Sequence, residues 1–427
     1  MSKLTRRQFT GRAAGTVLAP LAFGAVGRSA RAETRLRLFW WGNPDRDQRT
    51  FQVVDLYQQN NPEIRIDAES IGWDDYWPKM ATQAAGQNMA DVVQMDYRYL
   101  FEYARREQLE PLDDYIGEDL DLSNFDDSFL DSGRVDGKLY AVPWTSNSTA
   151  CFYDTERLAE FGITAPDPGW TYDDLIEIAR AIKEAAPRNY WGVADKGHWE
   201  PMLEVFVRQR GKSLYTEDGG LGYGEEDLAD YLAFWDGMRQ EGLLPPADIT
   251  VQDTNLQQMP ITLGRVPIDF AHSNQLVGLQ ALNPHELGMT MLPNREGGQP
   301  GQYMKPSMLV SVSRTSQVKP EAVRLTAFLV SDLDAGAILR VERGVPGDER
   351  VRGFLLDKVT EEERKMIDYL SIVAENVSPL PPPPPRGAGE IEKMLVRLYA
   401  QLAFGRVSVS DGAAQIYRDA EAIIRRA

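Results

Sequence analysis

"TRLRLFWWGNPDRDQRTFQVVDLYQQNNPEIRIDAES", residues 34–70, decides the architecture. Its first residues alternate, with Leu36, Leu38 and Trp40 on one face, which predicts a strand. Gly42, Asn43 and Pro44 break it. Phe51, Val54 and Tyr57 then recur at helical spacing, and Ile64, Ile66 and Ala68 return to a period of two. Downstream, "DDYWPKMATQAAGQN" (74–88) predicts a helix capped by Asp74 or Asp75 with Pro78 in its first turn. "ADVVQMD" (90–96) predicts a third strand. Strand, helix, strand, helix, strand implies an α/β lobe with a mostly parallel sheet covered by helices. Ligands of such sheets collect outside the carboxyl ends of the strands. Trp40, Trp41 and Asn43 lie at one such end, and Gln94, Asp96 and Tyr97 at another.

Ahead of this lobe, residues 1–32 carry six bases and no acid around an apolar stretch at about 13–26. Ala30-Arg31-Ala32 has the form of a signal-peptidase site, so the segment is expected to be an export signal. "TRRQF" (5–9) is similar to a twin-arginine signal, with an ordinary secretory signal as the alternative. The remainder holds 40 bases against 64 acids, a balance of −24, which excludes a concentrated nucleic-acid face. No cysteine stands directly after the apolar stretch, so no lipid anchor is expected. The lone Cys151 forbids an internal disulfide and reads as a small buried hydrophobe. A soluble periplasmic protein is the expectation.

Beyond the first lobe, "KLYAVPWTSNSTACFYD" (138–154) reads as two extended pieces joined at 144–147. Thr171 and Asp174 form a capping pair for a helix with Leu175, Ile178 and Ile182 inward. Leu228, Tyr231, Leu232, Trp235 and Met238 form a second stripe, stopped by Gly242 and Pro245-Pro246. "PSMLVSVS" (306–313) is another strand, and Pro320 opens another helix. Five prolines, 381–385, predict a stiff polyproline II spacer before two closing helices at about 388–404 and 410–426.

Catalytic motifs fail on their own chemistry. His198, His272 and His285 have no paired spacing for zinc. Gly211-Lys212-Ser213 lacks the phosphate loop's first glycine, since Phe206 stands there. "DLDLSNFDD" (119–127) lacks the glycine and terminal glutamate of a calcium loop. No metal and no cofactor are therefore expected. A glycosidase carboxylate pair stays open on composition alone. What is enriched is tryptophan beside turn polars: Trp40, Trp41, Trp73, Trp77, Trp144, Trp170 and Trp199. Aromatic planes stack on sugar C–H faces while polar side chains meet the hydroxyl rim.

Several segments carry a family resemblance. These are "VDGKLYAVPW" (135–144) with "ACFYDTERLAEFGI" (150–163), "GWTYDDLIEIA" (169–179), "VRQRGKSLYTEDGGLGY" (207–223), "FWDGMRQEGLLPP" (234–246), "ITLGRVPIDFAHSNQL" (261–276) and "RGVPGDERV" (343–351). In order and spacing the chain resembles the extracellular solute-binding proteins of family 1, the sugar-binding components of ABC importers. Asp154 stands where that family usually has Asn. The resemblance implies a two-lobe type II periplasmic binding protein fold, with ligand held between lobes that close on binding. It implies crossings near 143–149, 305–310 and 340–346, an N-terminal lobe of 33–145 plus 309–342 and a C-terminal lobe of 146–308 plus 343–427.

By position, the implied cleft residues are Trp40, Trp41, Asn43, Asp45, Arg46, Gln94, Asp96 and Tyr97 from the strand ends, and Trp144, Ser146 and Asn147 from the first crossing. Trp199, Glu200, His272, Ser273, Asn274, Lys305, Pro306, Ser307 and Arg343 complete the set. Of the two opening tryptophans, the strand phase puts Trp40 in the core and turns Trp41 toward the cleft. The expected function is capture of a mono- or short oligosaccharide by a monomer, without bond chemistry, and its delivery to a membrane permease. Arg46, Lys305 and Arg343 leave room for an anionic sugar derivative or a glycerol phosphodiester. A secreted glycoside hydrolase and a partner-sensing protein that lost its site are the remaining alternatives.

Overall fold

The computed structural model describes residues 33–376 and 378–426; the expected export signal lies outside them. Strand β1 (Thr34–Trp41) leads to α1 (Pro44–Asn60), β2 (Ile64–Ile71), α2 (Trp73–Ala85), β3 (Val92–Met95) and α3 (Tyr97–Arg105). β1 pairs in parallel with β2 along its whole length, from Thr34 opposite Ile64 to Trp41 opposite Ile71. Its other edge pairs in parallel with β3 at Leu38 and Phe39. Asn43 caps α1 by accepting from the Arg46 amide at 2.9 Å, and Pro44 fills the first turn where no donor is needed. α2 begins two to three residues earlier than a cap at Asp74 or Asp75 predicts. Gly72 is its cap and supplies no side-chain bond.

After the short hairpin β4 (Arg134–Val135) and β5 (Lys138–Leu139), the chain runs through β6 (Val142–Asn147) directly into β7 (Thr149–Asp154). β7 is the centre of a separate antiparallel sheet with β8 (Ile268–His272) and β9 (Leu287–Thr290). β10 (Lys305–Val312) then returns to the first sheet between β6 and β3, and β11 (Val345–Pro346) adds at the outer edge of β6. The first sheet is thus mixed and not mostly parallel. Helical crossovers make β2, β1 and β3 parallel, whereas β10 and β11 come back from the second lobe and must run the other way. The pairing of β10 with β6 slips twice, around Met308.

Both faces of β1 are buried, as in a sheet covered on each side. Leu36, Leu38 and Trp40 join one core cluster with Val53, Val54 and Tyr57 of α1. Phe39 and Trp41 join another with Tyr76, Trp77 and Met80 of α2. Phe51, expected inward, is 43% exposed and meets the Trp40 ring edge-on at 5.2 Å. Gly42 cannot be replaced cheaply, because a Cβ there would lie 2.0 Å from Asp47 Oδ1, the oxygen that accepts from Trp40 Nε1.

The second lobe centres on the helix Glu225–Gln240, whose predicted stripe is buried from Leu228 to Met238. The Thr171–Asp174 capping box is formed, and Gly242 ends its helix at φ +69°. Cys151 is fully buried among apolar side chains. The closing helices Ala388–Ala403 and Val409–Arg426 pack on this same core.

Candidate functional site

The two lobes meet around a partly open cavity with about 50 Å³ of free space. The first lobe contributes Tyr97 and Arg98 from the start of α3. Asp96 caps that helix, accepting from the Arg98 amide at 2.9 Å, and so fixes where both side chains leave it. The floor is the junction between lobes: Thr149 at the start of β7, His272 at the end of β8 and Lys305 at the start of β10. The second lobe supplies Glu200, Pro201 and Glu204 from the helix Glu200–Arg208, with Leu214, Tyr215 and Tyr303.

Charge is concentrated on this cavity. Arg98 reaches across from the first lobe to Glu200 and Glu392 of the second in close ion pairs. Tyr215 Oη donates to Glu200 at 3.3 Å, and Tyr303 Oη to Glu204 at 2.8 Å. Burial works against the charge on Arg98, but Glu200, Glu392 and Asp96 more than restore it, so the guanidinium stays charged. Burial pushes the Glu200 carboxyl up to about 7, with Arg98 opposing and Glu392 and Glu204 adding to the rise. Burial also raises Glu204, against Arg208 and its bond from Tyr303.

His272 is the neutral member. Burial drives its imidazole down to about 3, and the nearby charges of Lys305 and Arg98 act in the same direction. Its ring meets Trp199 edge-on at 5.3 Å. His272 Nδ1 and Asn147 Oδ1 are buried and have no hydrogen-bond partner in the protein, although Asn147 Nδ2 donates to Asn274 Oδ1 at 2.9 Å. Of the two residues, His272 lines the cavity.

The imidazole has a consequence for stability. The unfolded ring binds a proton below about pH 6.5, whereas the folded ring stays neutral down to about 3. This site therefore withdraws stability as pH falls between those values and withdraws none above them. His272→Asn should lose less stability than the parent on going from pH 7 to 4, by up to roughly 1.4 kcal/mol per pH unit. Urea denaturation at each pH measures it. Glu200 acts in the opposite sense between the ordinary carboxylate range and about 7, but it is common to both proteins. Parallel pH slopes would mean that the folded ring takes up its proton.

Of the residues expected from sequence, the cavity brings together Tyr97, Glu200, His272 and Lys305, with Asp96, Asn147, Trp199 and Asn274 in contact behind them. The others lie elsewhere. Trp40 is in the core, and Trp41 packs against Trp73, Tyr76 and Trp77 at 5.0 to 5.8 Å on the opposite face of the sheet. Asn43 is a helix cap, Asp45 pairs with Arg49, and Arg46 grips Glu342 at 2.8 and 3.0 Å. Gln94 accepts from Arg343 Nε at 3.2 Å, and Arg343 lies 4.6 Å over the Trp144 ring. Ser307 and Ser146 bond backbone carbonyls of 343 and 345, Pro306 pairs opposite Ser146, and Ser273 holds the Ser148 backbone. These groups knit the strand junction together behind the cavity and do not line it.

Sequence reasoning missed Arg98, Glu204, Tyr215, Tyr303 and Glu392. The i, i+4 spacing of Glu200 and Glu204 was a readable signal that both share one helix face. Pro381, Pro382 and Pro384 were missed as well, having been read as a spacer; they line the cavity. Because Glu200 and Glu204 rise from one helix, they occupy one wall. A glycosidase needs its two carboxyls flanking the scissile bond. Among the described residues no cluster of His, Cys, Asp and Glu is arranged to hold a metal ion.

Known proteins share this fold. A protein of Alicyclobacillus acidocaldarius, described as extracellular solute-binding protein family 1, superposes with a TM-score of 0.73 at 27% identity, over 92% of this chain and 99% of that one. A periplasmic oligogalacturonide-binding protein of Yersinia enterocolitica, solved with saturated digalacturonic acid, superposes at 0.83 with 21% identity and the same coverage. A Brucella abortus protein described as a binding protein is 24% identical over 283 residues, 65% of this chain and 67% of its own. The fold is the two-lobe type II periplasmic binding protein arrangement. The family described as bacterial extracellular solute-binding protein matches residues 52–336, two thirds of the sequence, and the chain belongs to it.

Proposed function

We propose that this protein is the exported, periplasmic carbohydrate-binding component of an ABC importer, holding a mono- or short oligosaccharide between its lobes and presenting it to the membrane permease as a monomer, without bond chemistry. The observation that carries this reading is the junction cavity. It offers donors in Arg98, Lys305 and the tyrosines, acceptors in Glu200 and Glu204, and aromatic rings in Tyr97, Tyr215 and Tyr303. That mixture suits a ring with polar rim and apolar faces. Lobes of 33–145 plus 309–342 and 146–308 plus 343–427 belong to the proposal, with β6, β10 and β11 as the crossings. Among the described residues no helix is long and apolar enough to cross a membrane. The oligogalacturonide ligand of the Yersinia relative supports a carbohydrate.

A second reading, an acidic sugar, rests on Lys305. Among the described residues it makes no ion pair, yet its charge is felt by Glu200, Glu204 and His272. Arg46 and Arg343 no longer support that reading, since both lie behind the cavity.

A thermal-shift screen of residues 33–427 against neutral mono- and disaccharides, polyols and uronic acids tests both. A ligand at a hundred times its Kd should stabilise by about 2.7 kcal/mol and be recovered unchanged. Stabilisation by uronic acids alone selects the second reading. Stabilisation by none of the panel overturns the carbohydrate assignment.

A further inference from the structure

We propose that the polyproline segment 380–385 is a specificity-determining wall of the ligand cavity, a rigid strap that restricts the site to short chains. The inference rests on the carbohydrate reading above and adds a limit on ligand length. The strap is rooted in the second lobe. The Ser378 amide donates to the Gln302 carbonyl at 2.9 Å, and Arg208 donates to Ser378 Oγ at 2.6 Å and to the Pro379 carbonyl. It then crosses to the first lobe. Leu380 packs on the aromatic cluster of β1 and α2, and Tyr97 Oη donates to the Pro381 carbonyl at 3.3 Å. Pro381, Pro382 and Pro384 face the cavity. Gly387, at φ +83°, turns the chain back into the helix Ala388–Ala403 on the second lobe. There a Cβ on Gly389 would come within 2.9 Å of Tyr99 Oη of the first lobe, so the approach is close.

Five consecutive prolines suit this place for two physical reasons. A polyproline II run makes no internal hydrogen bonds and has no backbone donors, so a ligand displaces no ladder and finds only carbonyls and ring C–H surface. Its conformation is largely set before folding, so holding it as a wall costs little ordering entropy. A flexible loop with the same side-chain volume would yield to a longer ligand. A proline run anchored at Arg208 on one side and at Leu380 on the other resists it.

The test compares the parent with a Pro381→Gly, Pro382→Gly, Pro384→Gly triple variant and with Leu380→Ala, which frees the strap without touching the prolines. Thermal shift and calorimetry use glucose through maltotetraose and galacturonic acid through tetragalacturonic acid. The parent should take only the one- and two-ring members. Both variants should bind the three- and four-ring members, with about tenfold weaker binding of the shortest. The same length profile in all three proteins, or tight binding of a tetrasaccharide by the parent, overturns the wall. If no sugar binds any of them, the carbohydrate reading has failed and a second arm decides the strap alone. Leu214→Cys puts a thiol in the cavity, and the only native thiol is buried. A polyethylene-glycol maleimide should then label the triple variant at least about tenfold faster than the parent strap, because loss of the rigid wall opens access. Equal rates overturn the proposal.

Discussion

Arg98→Ala should give a folded protein that no longer closes on its ligand, with binding weakened by about 2–4 kcal/mol, roughly 30- to 1,000-fold in Kd. The guanidinium is the first lobe's charged contact with two carboxylates of the second, and it is well shielded from water. Without it Glu200 and Glu392 face each other, and Glu204, one helical turn along, adds a third carboxylate to the same wall. Leaving buried charges unpaired is far costlier than the pair itself is stabilising. In an open arrangement the carboxylates regain water, so the penalty falls on closure and not on the fold of either lobe. Thermal stability without ligand should therefore drop only slightly, while calorimetry with any sugar that stabilises the parent shows the loss. Arg98→Lys should recover part of it, since an ammonium reaches one carboxylate but cannot span two as the planar fork does. Full affinity in Arg98→Ala would show that the ion pairs do not hold the lobes together.

Trp40→Ala should cost about 3–5 kcal/mol of stability, the range for truncating a large buried aromatic. Trp40 is 1% exposed, fills the core between β1 and α1, and donates to Asp47 Oδ1 at 2.8 Å. Its loss opens a void and deprives Asp47 of one of two donors, leaving Ser70. Trp41→Ala belongs beside it as a loss of stability, because Trp41 packs among Trp73, Tyr76 and Trp77 away from the cavity. Urea denaturation and ligand calorimetry on both variants make the distinction. Weakened binding with unchanged stability in Trp41→Ala would mean that its indole does reach the ligand.

The tryptophan pair illustrates how far the sequence could be read. The alternation of Leu36, Leu38 and Trp40 correctly placed Trp40 inside. It gave no warning that the other face, with Phe39 and Trp41, was covered too, since burial on both faces erases the alternation that marks an exposed one. The strand-end rule nominated Tyr97, which lines the cavity. It also nominated Asn43, Asp45 and Arg46, which the fold uses to cap α1 and to tie it to Glu342 nearly three hundred residues away. Such long-range pairs leave no local pattern. Arg98 and Glu392 form across an interface that neither lobe encodes alone, and the strap was legible as a stiff conformation but not as a position.

The three strands proposed to cross between lobes, β6, β10 and β11, lie side by side and share hydrogen bonds. Three separate tethers would let the lobes twist, slide and bend independently. A bonded ribbon resists shear and stretch along its plane and leaves essentially one soft coordinate, flexing across its width where the register of β10 slips at Met308. With such a hinge, opening would follow a single path, and any ligand that seats correctly would bring the same outer surfaces of the two lobes into the same relative pose. A receptor on the membrane could thus read occupancy as one repeatable shape, whatever the ligand's own chemistry.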